Sequence, residues 1–381
     1  MKEANRLQHI KEYYFSRKLK EIEKLQKQGR DIINLGIGNP DLPPSYEVIK
    51  ELSQTASMAS AHGYQSYRGI EGLRKSFARF YKKYFGVKLN PHDEIIPLTG
   101  SKEGIMHISM AFINPGDKVL IPDPGYLTYR SATLLAGGIP VGYDLFPENN
   151  YLPDLKALEK TNLEEVKIMW INYPHMPSGS LAPASFYKKI IEFGKKHQIL
   201  IVNDNPYSFI LNNEPRSLLH YDPGMETSME LNSLSKSHNM AGWRIGMLAG
   251  KKEHIDAVMK FKSNMDSGMF LALQKAAIKA LNLNEEWFEN MNRIYRKRKI
   301  IAEKIFEKLH IHHGKDQAGL FLWGKIPGET DSKTFTDKLL YEKEIFLTPG
   351  FIFGNNSKNY VRLSLTNSTG LLEKALKKLE K

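Results

Sequence analysis

The chain has 381 residues, 41% of them hydrophobic and 25% charged, an ordinary globular mixture long enough for one large core and a smaller one. It contains no cysteine, which excludes disulfides, a thiolate nucleophile and any cysteine-based metal site. The formal net charge of +12 brings nucleic acid or a small anion to mind, but the lysines are scattered over helical stretches such as 186–196 and 295–308 with acidic residues among them, as on a solvated surface.

In chain order, the N-terminal segment MKEANRLQHIKEYYFSRKLKEI lacks the apolar run of a signal peptide. No stretch approaches the roughly 18 apolar residues of a membrane helix, so a cytoplasmic protein is expected, with neither membrane nor nucleic acid as partner. Gly36-Ile-Gly38-Asn-Pro lacks the strand and helix that flank a dinucleotide motif and reads as a loop where backbone comes close to a ligand. Thr99-Gly-Ser-Lys-Glu-Gly104 opens a helix predicted over Lys102–Ile113, whose free N–H groups, with Ser101, make a ready phosphate cradle. A strand is predicted at Lys118–Ile121 and a helix at Tyr126–Ala136, with Tyr126 offering a flat face to a ring. Further strands are predicted at Val166–Asn172, Ile199–Val202, Met229–Leu231 and Ile245–Ala249, and helices at Ser185–His197 and Glu253–Met265.

Strands alternating with helices predict an α/β fold with a largely parallel sheet covered on both faces. Such sheets bind ligands at the carboxyl ends of their strands, where Pro122–Tyr126, Asn172–Gly179 and Asp204–Tyr207 fall. From Asn284 to Leu309 the pattern becomes one long charged helix, followed by short strands (Gly319–Trp323, Tyr360–Ser364) and terminal helices. The expected division is an N-terminal arm with part of a small domain (1–45), a large domain (46–280) and a small α+β C-terminal domain (281–381), the small domain being built from both chain ends.

The chemistry concentrates in Ser233-Leu-Ser-Lys236, followed eight residues later by Arg244. A lysine amine attacks a carbonyl well when burial or nearby cations favour its neutral form. Hydroxyls and an arginine fork suit a phosphate dianion. Together they point to an aldehyde that carries a phosphate, for which pyridoxal phosphate is the obvious candidate. Asp204 and Tyr207, in NDNPY, stand three residues apart on one strand-end loop, fit to pair with a ring nitrogen and a phenolic oxygen. Arg362 interrupts an alternating strand and could clamp a substrate carboxylate. Taken singly, each segment also has an ordinary reading: a loop lysine, a turn-forming Asn-Asp-Asn-Pro cluster, a capped helix start, a packing tyrosine, a surface arginine.

In combination, LGIGNPDLPP, YQSYRGIEGLR, TGSKEGI, PDPGYLTY, NYPHMPSG, NDNPY, SLSKSHNMAGWRIG and YVRLSL resemble the class I/II aminotransferases of pyridoxal-phosphate fold type I over nearly the whole chain. The likeness is nearest to the LL-diaminopimelate/aspartate aminotransferase-like branch. The resemblance implies that Lys236 carries the cofactor as an aldimine and shuttles a proton during transfer of an amino group between an α-amino acid and a 2-oxo acid. It further implies Asp204 at the pyridine nitrogen, Tyr207 at the phenolic oxygen with Asn172 among the cofactor contacts, and Tyr126 stacked on the ring. Ser101, Lys102, Ser233, Ser235 and Arg244 would hold the phosphate. Arg362 and the Gly38 backbone would take the α-carboxylate, with Asn264 on the substrate side. The working unit would be a homodimer in which Tyr64 reaches the partner's phosphate, and no metal is implied.

One departure stands out. The family's segment commonly reads N-x-P-N-N-P-T-G, whereas here Met176 occupies the position of the donating asparagine and His175 the other. The same scaffold also supports a carbon–sulfur β-lyase as an alternative. A regulator that senses the cofactor through such a domain would append a DNA-binding domain, for which the segment ahead of LGIGNP is expected to be too short.

Overall fold

Short β-branched runs, buried on both faces, form the centre of the molecule. The structure, a computed structural model, describes residues 1–8, 10 and 14–380. In chain order its strands are β1 (Ile33–Asn34), β2 (Ile95–Leu98), β3 (Lys118–Asp123), β4 (Ile139–Asp144), β5 (Val166–Ile171), β6 (Leu200–Asp204), β7 (Ser228–Ser233) and β8 (Gly246–Gly250), then β9 (His312–His313), β10 (Phe321–Lys325), β11 (Ile345–Phe346), β12 (Thr348–Pro349) and β13 (Tyr360–Ser364). Seven of them form one sheet in the order β2-β8-β7-β6-β5-β3-β4. Neighbours from β7 through β4 run parallel, while β8 is antiparallel to both β2 and β7.

The period-two alternation of a strand sends successive side chains to opposite faces. Val119, Ile121, Ile168 and Trp170 join one apolar cluster with Ile105 and Ile108 of helix Ser101–Phe112 and with Ile255 and Val258 of helix Lys252–Lys262. Leu120, Met169 and Ile171 face the other way, onto Phe186, Tyr187 and Ile190 of helix Ala184–His197. Both faces are therefore covered, as the alternation of elements predicts.

The five strands predicted for this sheet are present, their ends shifted by one or two residues, while β2 and β4 are additional. β2 carries Pro97, and β4 carries Pro140 and Gly142. Both strands lie at the sheet's edges, where proline is tolerated. The helix expected over Glu253–Met265 ends at Lys262. The strand expected over Gly319–Trp323 begins at Phe321, because Gly319 sits in a turn at φ +81°.

A second, four-stranded sheet, β12-β13-β10-β9, is antiparallel, and β1 pairs in parallel with β11 nearby. The long helix Glu285–Lys308 packs Tyr295, Ala302, Ile305 and Phe306 into the cluster that holds Leu322, Val361 and Leu363. The N-terminal helix Tyr14–Lys27 is pinned to this region by Lys18, which pairs with Glu21 and Asp337, both at 2.9 Å. Lys374 and Lys378 near the C-terminus both reach Asp31.

Candidate active site

A cavity of about 510 Å³ opens at the carboxyl ends of β5, β6 and β7, roofed by the second sheet and the N-terminal helix. Its polar floor starts at the N-terminus of helix Ser101–Phe112, where the first N–H groups have no carbonyl partner within the helix. The preceding Gly100 holds φ +84°, and a Cβ there would lie 2.2 Å from Arg244 Nη2, so only glycine allows the arginine to approach. Arg244 donates to the Ala241 carbonyl at 3.0 Å and to Ser235 Oγ at 3.4 Å. Ser233 Oγ accepts from the Ser235 N–H at 3.1 Å and donates to Ser235 Oγ at 2.9 Å. Two hydroxyls, a guanidinium and a helix N-terminus thus converge as a dianion cradle.

Lys236 follows these serines on the short helix Leu234–Ser237, and its Nζ donates to the Gly38 carbonyl at 2.8 Å. Burial, reinforced by the charges of Arg362 and Arg244, brings its pKa down to about 8. Its neutral fraction near neutral pH is therefore far larger than that of an exposed lysine, which favours a nucleophilic amine.

Asp204 ends β6. Burial pushes its pKa up to about 7 against the pull of the Tyr129 and Ser101 hydroxyls, and the charge of Glu230 adds to the rise. Its Oδ2 accepts from Tyr129 at 3.1 Å, while Oδ1 is buried without a hydrogen-bond partner. A buried carboxyl that lines the cavity and leaves one oxygen without a hydrogen-bond partner suits a cationic ring N–H, so the residues present fit pyridoxal phosphate at both its phosphate and its ring nitrogen. Tyr126 meets Tyr129 edge to face at 5.7 Å, and Tyr129 stacks on Trp170 at 5.1 Å, which fixes the floor beneath the ring position.

The opposite wall belongs to the second sheet. Arg362, buried on β13, donates through Nη2 to the Gly36 carbonyl at 3.0 Å and through Nη1 to Met176 Sδ at 3.3 Å. Its guanidinium lies 3.9 Å from the Phe321 ring centre and 4.9 Å from that of Phe353. The Gly36–Gly38 loop fits against this wall because Gly38 has no Cβ, which would strike Phe321 at 2.4 Å.

Asn172 ties the following loop to the sheet. Its Oδ1 accepts from the Met176 N–H at 2.9 Å, and its Nδ2 donates to the Asp204 carbonyl. Met176 faces the cavity. His175 does not: its Nδ1 meets Ser178 Oγ at 2.7 Å and its Nε2 the Pro124 carbonyl at 3.1 Å. Burial drives its pKa down to about 3, so it is a neutral packing residue.

Gly38, Ser101, Lys102, Tyr126, Asn172, Asp204, Tyr207, Ser233, Ser235, Lys236, Arg244 and Arg362 all line this one cavity. Tyr64 and Asn264 do not. Tyr64 is 93% exposed. Asn264 is exposed as well, and its amide donates to the Lys260 carbonyl at 2.8 Å, capping the end of helix Lys252–Lys262 instead of facing substrate within its own chain. Sequence reasoning missed Tyr129, Phe15, Leu19, Ile37, Phe321 and Phe353. A signal existed for Tyr129, which lies one helical turn beyond Tyr126, and for Phe15 and Leu19, spaced i, i+4 on the N-terminal helix. Among the described residues Glu103, His107 and Asp266 bring donor atoms within 4.8 Å of one another, but Lys262 already bonds both oxygens of Asp266 at 2.7 and 2.5 Å, which makes the trio part of an ion-pair cluster.

The family profile described as aminotransferase class I and II matches residues 30–379. The chain belongs to that family. An LL-diaminopimelate aminotransferase of Natranaerobius thermophilus is 38% identical over 383 residues, covering 100% of this chain and 99% of the relative. One from Aquifex aeolicus is 39% identical, covering 99% and 98%. Among solved structures, a substrate-bound BacF from Bacillus subtilis superposes with a TM-score of 0.95 at 33% identity, covering 100% of this chain and 97% of that one. An aspartate aminotransferase of Thermotoga maritima gives 0.91 at 28% identity, covering 99% of both. The protein is a pyridoxal-phosphate-dependent aminotransferase, and nothing in the site or the relatives favours the β-lyase. No described helix of this aminotransferase is long and apolar enough to cross a membrane.

Proposed function

We propose that this cavity performs both half-reactions of amino transfer, with Lys236 as the residue that carries the cofactor. The observation that supports this most directly is the pairing, in one cavity, of a lysine whose pKa lies near 8 with a buried aspartate whose Oδ1 lacks a partner. Bound pyridoxal phosphate supplies an electron sink for charge that develops at the substrate α-carbon. Asp204, as the carboxylate, keeps the ring nitrogen protonated. Tyr207 would donate to the ring's phenolic oxygen, with Asn172 among the cofactor contacts, Tyr126 would stack on the ring, and the Ser101, Lys102, Ser233, Ser235 and Arg244 cradle would hold the phosphate. Arg362 and the Gly38 backbone hold the α-carboxylate, which turns the α-hydrogen toward Lys236. With its amine free, Lys236 would be placed to accept that proton and to return it as general acid.

We also propose a homodimer with shared sites, in which the partner subunit's Tyr64 reaches the phosphate. The exposure of Tyr64, beside a His62–Phe270 stack at 5.8 Å, supports this. A cytoplasmic location, where amino acids and 2-oxo acids are at hand, belongs to the same reading.

Borohydride reduction of the holoenzyme followed by peptide mapping tests the assignment. The pyridoxyl group is expected on the peptide containing Lys236, and its appearance on Lys102 or Lys251 would remove the basis of the site.

A further inference from the structure

Away from the cofactor residues, the cavity lining is largely apolar. Five side chains in its lining carry charge: Lys102, Asp204, Lys236, Arg244 and Arg362. All five serve the cofactor or the α-carboxylate in the proposed reaction. Around Arg362 the lining is apolar, with Phe15, Leu19, Ile37, Met176, Phe321 and Phe353, while Pro206 and Ala241 add further apolar surface. Three of these rings crowd the carboxylate-binding guanidinium itself, with Phe321, Phe353 and Phe15 centred 3.9, 4.9 and 5.7 Å from it. Phe15 and Leu19 flank Lys18, whose ion pairs with Glu21 and Asp337 hold the helix in place over the cavity.

From this lining we infer that the aminotransferase takes an amino acid with a large apolar or aromatic side chain, not the doubly zwitterionic substrate for which its named relatives are called. This inference rests on the substrate placement in the proposed function, with the α-carboxylate on Arg362. The distal ammonium and carboxylate of LL-diaminopimelate would have to leave water for a wall on which no described side chain can pair with either. A phenyl or isobutyl group instead gains from displacing water there. The segment that a second copy would bring to the site adds further rings, His62, Tyr64 and Tyr67, and its one formal charge, Arg68, is paired with Asp256.

Two measurements on the holoenzyme test this. In single-turnover bleaching of the visible band, L-phenylalanine and L-leucine should react with a kcat/KM exceeding that of L-aspartate and LL-diaminopimelate by roughly a hundredfold. A higher value for either charged donor overturns the inference. By calorimetry, the unreactive 3-phenylpropanoate should bind at least about tenfold more tightly than pimelate, which presents a second carboxylate at the distal end. Equal or tighter binding of pimelate overturns the inference even if no donor reacts, whereas tight 3-phenylpropanoate binding without bleaching by any donor would sustain the pocket and sink the reaction assignment instead. Phe15→Ala should cut the ratio of phenylalanine to alanine kcat/KM by roughly tenfold, with the partly exposed Leu19→Ala as a second variant; an unchanged ratio in both counts against the wall.

Discussion

At the scale of single residues, Asp204 combines a structural cost with a functional role. Its carboxyl has a normal pKa of 3.8 and titrates near 7 in the folded chain. For an acid whose folded pKa is raised, the two states bind the same proton at low pH. Above about pH 4 the unfolded chain releases that proton while the cofactor-free folded chain keeps it, so stability is lost as pH rises toward 7. Asp204→Asn keeps the shape and removes the titration. Between about pH 4 and pH 7, cofactor-free wild-type protein should therefore lose stability relative to Asp204→Asn by a few kcal/mol, since each pH unit crossed between the two pKa values costs on the order of 1.4 kcal/mol. Denaturant melts of both proteins across that range check it, and a pH-independent difference would mean that Asp204 is not desolvated as described. Met176 poses the converse question. Its sulfur offers Arg362 only a weak acceptor, and it has no proton to give the cofactor's ring oxygen. His175 cannot take over that task, because both its ring nitrogens are engaged away from the cavity. An asparagine at 176 would donate to the ring oxygen and loosen its hold on the proton of the lysine linkage. In Met176→Asn the visible band of the holoenzyme should thus titrate lower, by on the order of one pH unit. An equal or higher midpoint would make Met176 a mere space-filler.

At the scale of elements, the phosphate cradle depends on one backbone conformation. Gly100 turns the chain at φ +84° from β2 into helix Ser101–Phe112 and leaves room for Arg244. Gly100→Ala strains that turn and pushes the guanidinium away, so the affinity for pyridoxal phosphate, measured by equilibrium dialysis, should fall at least about tenfold while the helix content by circular dichroism holds. An unchanged affinity would show that Arg244 does not need that position. This element was legible in sequence, because a Gly-Ser pair ahead of an apolar helix signals a helix start whatever lies around it. So were the parallel strands, whose apolar runs need no knowledge of their neighbours. Edge strands β2 and β4 were hidden by Pro97 and by Pro140 with Gly142, residues that break central strands but are tolerated at an edge, and an edge is a property of the finished sheet. The apolar half of the site was hidden for a related reason. Nothing local distinguishes Phe321 or Phe353 beside a cavity from Tyr295 in a core, because packing decides which aromatic faces empty space. Asn264, which the family resemblance places on the substrate side, lies outside the cavity of its own chain, where its amide donates to the Lys260 carbonyl at a helix end.

At the scale of the whole molecule, a single chain brings Ser101, Asp204, Lys236, Arg244 and Arg362 to one cavity, yet it leaves large apolar and aromatic side chains in water. Tyr64, Met58, Met265 and Phe270 are all exposed, at 93, 53, 53 and 38%. Large exposed apolar residues clustered near one another are characteristic of a surface that meets a partner, and a two-fold dimer would use the same patch on both copies. If Tyr64 completes the partner's site, each dimer holds two sites assembled from Lys236 of one chain and Tyr64 of the other. Lys236→Ala and Tyr64→Phe chains are then each defective as homodimers. Mixing them in equal amounts and allowing subunit exchange gives roughly half heterodimers, each with one intact site and one doubly defective site. Activity should therefore recover to about a quarter of the wild-type value, in proportion to the heterodimer seen by native mass spectrometry. Heterodimers that form without recovered activity would place Tyr64 outside the partner's site, provided that Tyr64→Phe alone is severely impaired.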